Sequence, residues 1–86
     1  MARGAAYHRR MIWDVEVDAC GLICPLPVLK ARKRLMAMAS GQVLRLLTTD
    51  PASIIDVPHF CAQSGHALLE TASEGPTVSF LIQRGV

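Results

Sequence analysis

The sequence predicts an α/β fold: a two-layer sandwich in which two helices pack on one face of a four-stranded mixed sheet. The main observation is the apolar pattern, which alternates between a period of two and a helical period in the order β-α-β-α-β-β. The 86 residues, of which 51% are hydrophobic, suffice for one core but not for two. A right-handed crossover makes the first two strands parallel if they are neighbours, and a hairpin makes the last two antiparallel.

The chain is predicted to divide into a tail, residues 1–10, and one domain, residues 11–86. The tail carries three arginines without apolar periodicity, so we expect it to be mobile. It lacks the apolar stretch of a secretory signal, and no segment reaches the ~18 apolar residues that cross a bilayer. The predicted compartment is therefore the cytosol, and no membrane partner is expected.

Charge and aromatic content argue against nucleic acid as a direct partner. The tail holds three of the nine basic residues, so the predicted domain contains six basic and seven acidic residues. The domain is close to neutral, which does not fit a general nucleic-acid footprint. Aromatic residues make up only 5% of the chain, too few for a base-stacking surface. One dense basic patch, Lys30 to Arg34, remains as a local exception.

The first half of the domain predicts a strand followed by a helix. Residues 13–19 alternate between apolar and acidic side chains, which is typical of a strand with one face in water. Residues 26–39 follow three- and four-residue steps, which indicate an amphipathic helix. Pro27 is tolerated only in its first turn, and Gly41 suits its C-terminal end. Arg32 projects into the apolar arc of this helix, so its side chain must reach an edge.

The middle of the chain predicts a second strand and a second, shorter helix. Residues 43–49 are apolar with β-branched ends, as in a buried strand. Asp50 and the proline after it form a turn or helix-entry signal. Because Pro58 interrupts the next segment, we expect a short turn and then a helix that begins near Val57 or Pro58 and ends at Gly65.

The last segment predicts a β-hairpin. Residues 66–72 and 77–83 read as strands around a turn at residues 73–76, which contains glycine and proline. We expect Phe80 in this hairpin and Trp13 in the first strand to anchor the core.

Cys24 is the main candidate for chemistry, because it stands where the first strand gives way to the first helix. The unpaired N–H groups and the dipole at a helix N-terminus favour the thiolate, which is the nucleophilic form. Pro25 and Pro27 restrict the backbone and would hold the sulfur in a protruding position. Lys30 and Lys33 are expected to add positive potential there. A small buried cysteine in a loop punctuated by prolines is the alternative that spacing alone leaves open.

Residues 18–27, DACGLICPLP, resemble the signature of the TusA/SirA-like sulfur-carrier proteins, whose pattern is Gly-Leu-x-Cys-Pro-x-Pro. Gly21 and Leu22 match the first half of that pattern, and Cys24, Pro25 and Pro27 match the second. The resemblance covers about residues 12–84 and extends to further elements along the chain: Val28, Arg32-Lys33, Gly41, Asp50-Pro51-Ala52, Asp56-Val57-Pro58, Phe60-Cys61, His66 and Phe80-Leu81-Ile82.

The resemblance implies the predicted fold and a mechanism. Members of this family carry sulfur as a persulfide on the motif cysteine, which here is Cys24. They receive it from a cysteine desulfurase and pass it to an acceptor protein, in a tRNA 2-thiouridine relay, molybdenum cofactor synthesis or other sulfur trafficking. Such a carrier needs no cofactor. Arg32, Lys33 and Asp50 are candidates for partner recognition, although a solvated helix face suits Lys33 equally well.

The other two cysteines have less specific interpretations. Cys20 is either a regulatory or resolving thiol or, more simply, a harmless substitution at a loop edge. Cys61 is expected to pack in the core. The three cysteines with His59 and His66 lack the paired spacing of a strong zinc site, so no metal is predicted.

Two other functions are compatible with the residues. One is a non-catalytic RNA- or protein-binding module that uses the patch from Lys30 to Arg34 and would bind RNA in a salt-sensitive way. The other is a redox protein that cycles a disulfide between Cys20 and Cys24. That reading requires Cys20, whereas a sulfur carrier tolerates its loss.

Overall fold

The computed structural model describes residues 12–86 and confirms the predicted fold class. The predicted tail, residues 1–10, lies outside the described residues, as does Met11. The elements occur in the predicted order: β1 (Val15–Ala19), α1 (Leu26–Met36), β2 (Val43–Thr48), α2 (Ser53–Ser64), β3 (Ala67–Glu74) and β4 (Thr77–Gln83).

The four strands form one mixed sheet in the order β1-β2-β4-β3. β1 is parallel to β2, and β4 is antiparallel to both β2 and β3. Val17, Leu46 and Phe80 are neighbours across three strands and belong to the core under the two helices. From the helices, the core also receives buried side chains: Ala31, Leu35, Val57, Phe60 and Cys61. No helix within residues 12–86 is long and apolar enough to cross a membrane.

The first helix ends earlier than predicted, at Met36 rather than Ala39. The N–H groups of Ala37 and Met38 donate to carbonyls three residues back, which is the 3₁₀ pattern, so the α-helix does not continue. The side chain of Gln42 then accepts the N–H of Ala39 at 2.8 Å, so this group has a partner outside the helix.

The second helix starts at Ser53, so the prediction of a start near Val57 or Pro58 was wrong. The Ser53 hydroxyl donates to the Asp50 carbonyl at 2.7 Å and lies 2.6 Å from the Thr48 hydroxyl, which fixes the first turn. Pro58 therefore lies inside the helix, where it removes one intrahelical hydrogen bond. Burial of Val57 and Phe60 on either side of the proline offsets that loss.

Trp13 is not a core anchor, which corrects a second prediction. β1 begins only at Val15, and the Trp13 side chain is 39% exposed. The Arg45 guanidinium lies 4.5 Å from the centre of its ring and also pairs with Glu16 at 2.9 Å. The indole thus packs against a surface cation. Phe80, the other predicted anchor, is fully buried.

The hairpin is tighter than predicted, since β3 continues to Glu74 and pairs it with Thr77. Its turn is the two-residue Gly75-Pro76, with Gly75 at φ +59°. Glycine in the first turn position allows the positive φ that two-residue hairpins require.

Candidate functional site

Cys24 lies in the loop from β1 to α1, at the ends of the parallel strands β1 and β2. The carboxyl ends of parallel strands are where open α/β sheets commonly place their functional sites. Gly21 has φ +85°, and the N–H of Leu22 closes a turn onto the Ala19 carbonyl at 3.2 Å. The Cys24–Pro25 peptide bond is cis. Cys24 is exposed at the tip of this loop.

The loop after β2 holds the Cys24 loop through two hydrogen bonds. The backbone N–H of Cys24 donates to Asp50 Oδ2 at 2.6 Å, and that of Gly21 donates to Thr49 Oγ1 at 2.8 Å. The other carboxylate oxygen of Asp50 accepts the N–H of Ala52 at 3.2 Å. Asp50 therefore joins the start of α2 to the backbone of the candidate cysteine.

The electrostatic environment of Cys24 differs from the one expected from the sequence. A hydrogen bond to the Asp56 carboxylate is the main cause that raises the pKa of the Cys24 thiol above its usual range. Partial desolvation and the negative charges of Asp56 and Asp50 act in the same direction. The expectation of a thiolate favoured at the helix N-terminus was therefore wrong.

The first positions of α1 lack free N–H donors for the Cys24 sulfur, which explains why the predicted stabilisation of the thiolate was wrong. Pro25 and Pro27 have no N–H, and the N–H of Leu26 already donates to the Ile23 carbonyl at 2.8 Å. Three successive positions thus provide no free donor. Lys30, expected to act on Cys24, instead donates to the Asp18 carbonyl at 2.9 Å.

Three of the four basic residues of α1 line a groove along β1. The groove has a volume of about 510 Å³, with acidic side chains of β1 on one wall and basic side chains of α1 on the other. Its lining residues are Glu16, Val17, Asp18, Lys30, Lys33, Arg34 and Ala37. Of the three residues considered for partner recognition, Asp50 adjoins Cys24, Lys33 lines this groove, and Arg32 is exposed on α1.

Exposed apolar side chains occur both in the Cys24 loop and in the first turn of α2. Ile23 is 69% and Leu26 48% exposed, on the two sides of the Cys24–Pro25 bond. Ile54 and Ile55 are 53% and 75% exposed in the first turn of α2, which also contains Asp56. We call these four isoleucine and leucine side chains the apolar rim. Leu22 is half-buried and packs against the core instead.

Sequence reasoning did not identify Asp56 as a neighbour of Cys24. Its carboxylate lies there because α2 begins at Ser53, which brings Asp56 into the first turn of the helix. With a helix predicted from Val57 onward, Asp56 fell in the preceding turn. The available signal was the pair Asp50 and Ser53, whose spacing is that of a capped helix start.

Cys20 and Cys24 have different neighbours, although only three residues separate them. The N–H of Cys20 donates to Asp18 Oδ1 at 2.9 Å, and a hydrogen bond to Asp18 raises the pKa of its thiol. A weaker hydrogen bond to Thr77, at the start of β4, lowers that pKa. All three cysteines are free thiols.

Cys61 is a buried thiol in α2, as expected. Only 2% of the residue is exposed, and desolvation raises the pKa of its thiol to about 11. His66 is committed to the backbone, since its Nδ1 accepts the N–H of Gly85 at 2.9 Å. Within residues 12–86, no three His, Cys, Asp or Glu side chains are grouped so as to hold a metal ion.

Comparisons with known proteins are consistent with one another. A family model described as sulfurtransferase TusA matches residues 15–84. A sulfur carrier protein TusA of Allochromatium vinosum is 50% identical over 72 residues, which cover 84% of this chain and 95% of that protein. One of Pseudomonas entomophila is 39% identical over 74 residues, covering 86% and 92%.

Among solved structures, the crystal structure of a SirA-like protein from Desulfitobacterium hafniense has the same fold. The superposition has a TM-score of 0.75 at 24% identity and covers 85% of this chain and 100% of that one.

Proposed function

Since the chain belongs to the TusA sulfurtransferase family and its curated relatives are sulfur carriers, we propose that it carries sulfane sulfur as a persulfide on Cys24. The observation that supports this most is the position of Cys24. It is a free, exposed thiol in a loop that Asp50 holds to the start of α2, and both this loop and the first turn of α2 carry the exposed side chains of the apolar rim. A carrier needs such an accessible sulfur and a surface on which partners dock.

In the loading step, the Cys24 thiolate attacks the outer sulfur of a persulfide, R–S–SH, on the donor. A sulfur–sulfur bond forms to Cys24, the donor bond breaks, and the donor cysteine leaves as its thiolate. The products are Cys24–S–SH and R–S⁻, so no external oxidant or reductant is required. The raised pKa of Cys24 reduces the fraction of thiolate, but each thiolate is a stronger nucleophile for the same reason.

In the discharge step, an acceptor thiolate attacks the outer sulfur of Cys24–S–SH, and Cys24 leaves as a thiolate that takes up a proton. A leaving thiol with a high pKa departs slowly. The raised pKa of Cys24 therefore favours retention of the sulfur until an acceptor is in place.

The proposed partners are a cysteine desulfurase as donor and a sulfur-acceptor protein, in the cytosol. The proposed destinations of the sulfur are tRNA 2-thiouridine formation, molybdenum cofactor synthesis or another sulfur pathway. Direct contact with nucleic acid and a resident cofactor are not part of the proposal.

The test is transfer from a cysteine desulfurase supplied with L-cysteine, followed by intact mass spectrometry with and without reductant. We expect a reductant-labile gain of one sulfur atom in the wild type and in Cys20→Ser, and none in Cys24→Ser. No gain in the wild type, or a gain that persists in Cys24→Ser, would refute the proposal.

The same variants test the redox alternative. A disulfide protein would lose its activity in Cys20→Ser, whereas the carrier keeps it. Cys20 and Cys24 are both exposed free thiols, so both sulfurs are accessible to the reagents of this comparison.

A further inference from the structure

The charges around Cys24 have a consequence for the choice of sulfur acceptor. Asp50 Oδ2 lies 2.6 Å from the Cys24 nitrogen, and the same carboxylate accepts the N–H of Ala52 at the start of α2. Asp56 lies in the first turn of that helix, and its carboxylate raises the pKa of the Cys24 thiol. Three of the four cations of α1 are placed elsewhere: Lys30 is bonded to the Asp18 carbonyl, and Lys33 and Arg34 line the groove along β1. An attacking thiolate therefore meets two negative charges at the sulfur.

We propose that Asp50 and Asp56 form an electrostatic filter over Cys24, which repels anionic thiols and admits a partner cysteine that has a lysine or arginine side chain beside it. For the acceptor, this inference rests on the proposed function. Coulomb repulsion at about 6 Å in a well-hydrated site changes a rate by about threefold to tenfold per unit charge.

The filter matters because the attacking species in sulfur transfer is itself an anion. Two carboxylates raise the barrier for every free thiolate, and most of all for one with a further negative charge, such as glutathione. A partner cation that lies against Asp56 removes this repulsion only in the docked complex. The apolar rim provides contact area for such docking, because Ile23 and Leu26 flank the Cys24–Pro25 bond and Ile54 and Ile55 precede Asp56 in α2.

The filter can be measured on the thiol without any persulfide. In a Cys20→Ser background, Cys24 is labelled with a cationic and an anionic methanethiosulfonate, the trimethylammonium-ethyl and the sulfonatoethyl reagent. Each reagent forms a mixed disulfide with the thiolate and releases a sulfinate. We expect Asp56→Asn to lower the ratio of cationic to anionic labelling rates by at least about threefold, because it removes one of the two charges. Glu70→Gln, a matched loss of one exposed charge on β3, the sheet edge opposite β1, should leave the ratio unchanged.

The same comparison is then made on discharge. Protein loaded from inorganic polysulfide is treated with cysteamine or mercaptoacetate, and loss of the sulfur is followed by mass. Dividing each rate in Asp56→Asn by the wild-type rate cancels the intrinsic reactivity of each thiol. The preference for cysteamine over mercaptoacetate should fall in Asp56→Asn by the same factor as the labelling ratio. An equal preference in both proteins would overturn the filter. If Asp56→Asn does not fold, salt provides the second measurement: added salt must reduce the wild-type preference, and a salt-independent preference would overturn the filter.

The two proposals fail in different ways. If Cys24 takes up no sulfur but the labelling ratio still depends on Asp56, the carrier mechanism is wrong and the filter stands. If Cys24 is loaded normally but the ratio does not depend on Asp56, the filter is wrong and the carrier stands.

Discussion

The carboxylate of Asp50 lies 2.6 Å from the backbone nitrogen of Cys24, which joins two loops 26 residues apart in the chain. Its second oxygen accepts the N–H of Ala52, and its carbonyl accepts the N–H and the hydroxyl of Ser53. Asp50 thus lies between β2 and α2, accepts hydrogen bonds from the start of α2, and holds the loop that carries the Cys24 sulfur. Its side chain therefore has a structural role, separate from any role in partner recognition.

Asp50→Ala should lower the free energy of unfolding by about 1–2 kcal/mol, because it removes a charged acceptor from two backbone N–H groups. Asp50→Asn keeps an acceptor oxygen and should lose less. Urea unfolding measures both variants, and circular dichroism checks that they fold. If Asp50→Ala is as stable as the wild type, the 2.6 Å bond does not contribute to holding the loop.

The three cysteines should differ in their reactivity toward iodoacetamide. Cys20 and Cys24 are exposed and should be alkylated in the native protein near pH 8, whereas Cys61 is buried with a pKa of about 11. Intact mass should show two adducts in the native protein and three in urea. A third adduct formed natively at a rate similar to the first two would show that α2 does not shield Cys61.

The sequence was sufficient for the fold because the periodicity of its apolar residues is clear. Val17 lies in the core, as the alternation of residues 13–19 predicts, and Phe80 is the core anchor expected in the hairpin. The errors arose where a tertiary contact decided the outcome: Trp13 packs on Arg45 across the sheet, and a hydrogen bond from Ser53 to the Asp50 carbonyl starts α2 ahead of Pro58.

The candidate site was predictable in identity but not in electrostatics. Cys24 was found from its motif, and the helix dipole argument predicted a stabilised thiolate. The prolines on both sides of Leu26 withhold the donors on which that argument depends, and Asp56 reaches the sulfur only through the packing of α2 beside the loop. Neither charge placement nor free donors can be read from helical periodicity alone.

Stability should decrease on mild acidification because of His66. Desolvation, together with the charge of Arg84, lowers the pKa of this imidazole, so the folded state binds the proton less tightly than the unfolded state. The stability that neutral His66 contributes is fully present above its unfolded pKa of about 6.5 and is lost as the pH falls through its lower pKa in the folded state. Protonation at Nδ1 also abolishes the acceptor for the Gly85 N–H.

Urea midpoints measured between about pH 7.5 and 5 should therefore fall with pH in the wild type, and less steeply in His66→Gln. His59→Gln is the matched control, because His59 is exposed on α2 and should leave the slope unchanged. An equal slope in wild type and His66→Gln would assign the acid sensitivity to other groups.

Gly85→Ala should destabilise the fold strongly, because the C-terminal segment passes directly over the end of α2. A Cβ at Gly85 would overlap the carbonyl of Gly65, which ends α2 at φ +76°. Relief requires the segment to move, and that movement breaks the bond from the Gly85 N–H to His66. We expect a loss of about 2 kcal/mol or more in urea unfolding, as for other overpacked backbone contacts.

Val86→Ala is the control for this last change, since Val86 is fully exposed beside Gly85 and its truncation removes no packing. Its stability should match that of the wild type. If Gly85→Ala also matches the wild type, the C-terminal segment is not fixed against the end of α2, and the bond from the Gly85 N–H to His66 does not contribute to stability.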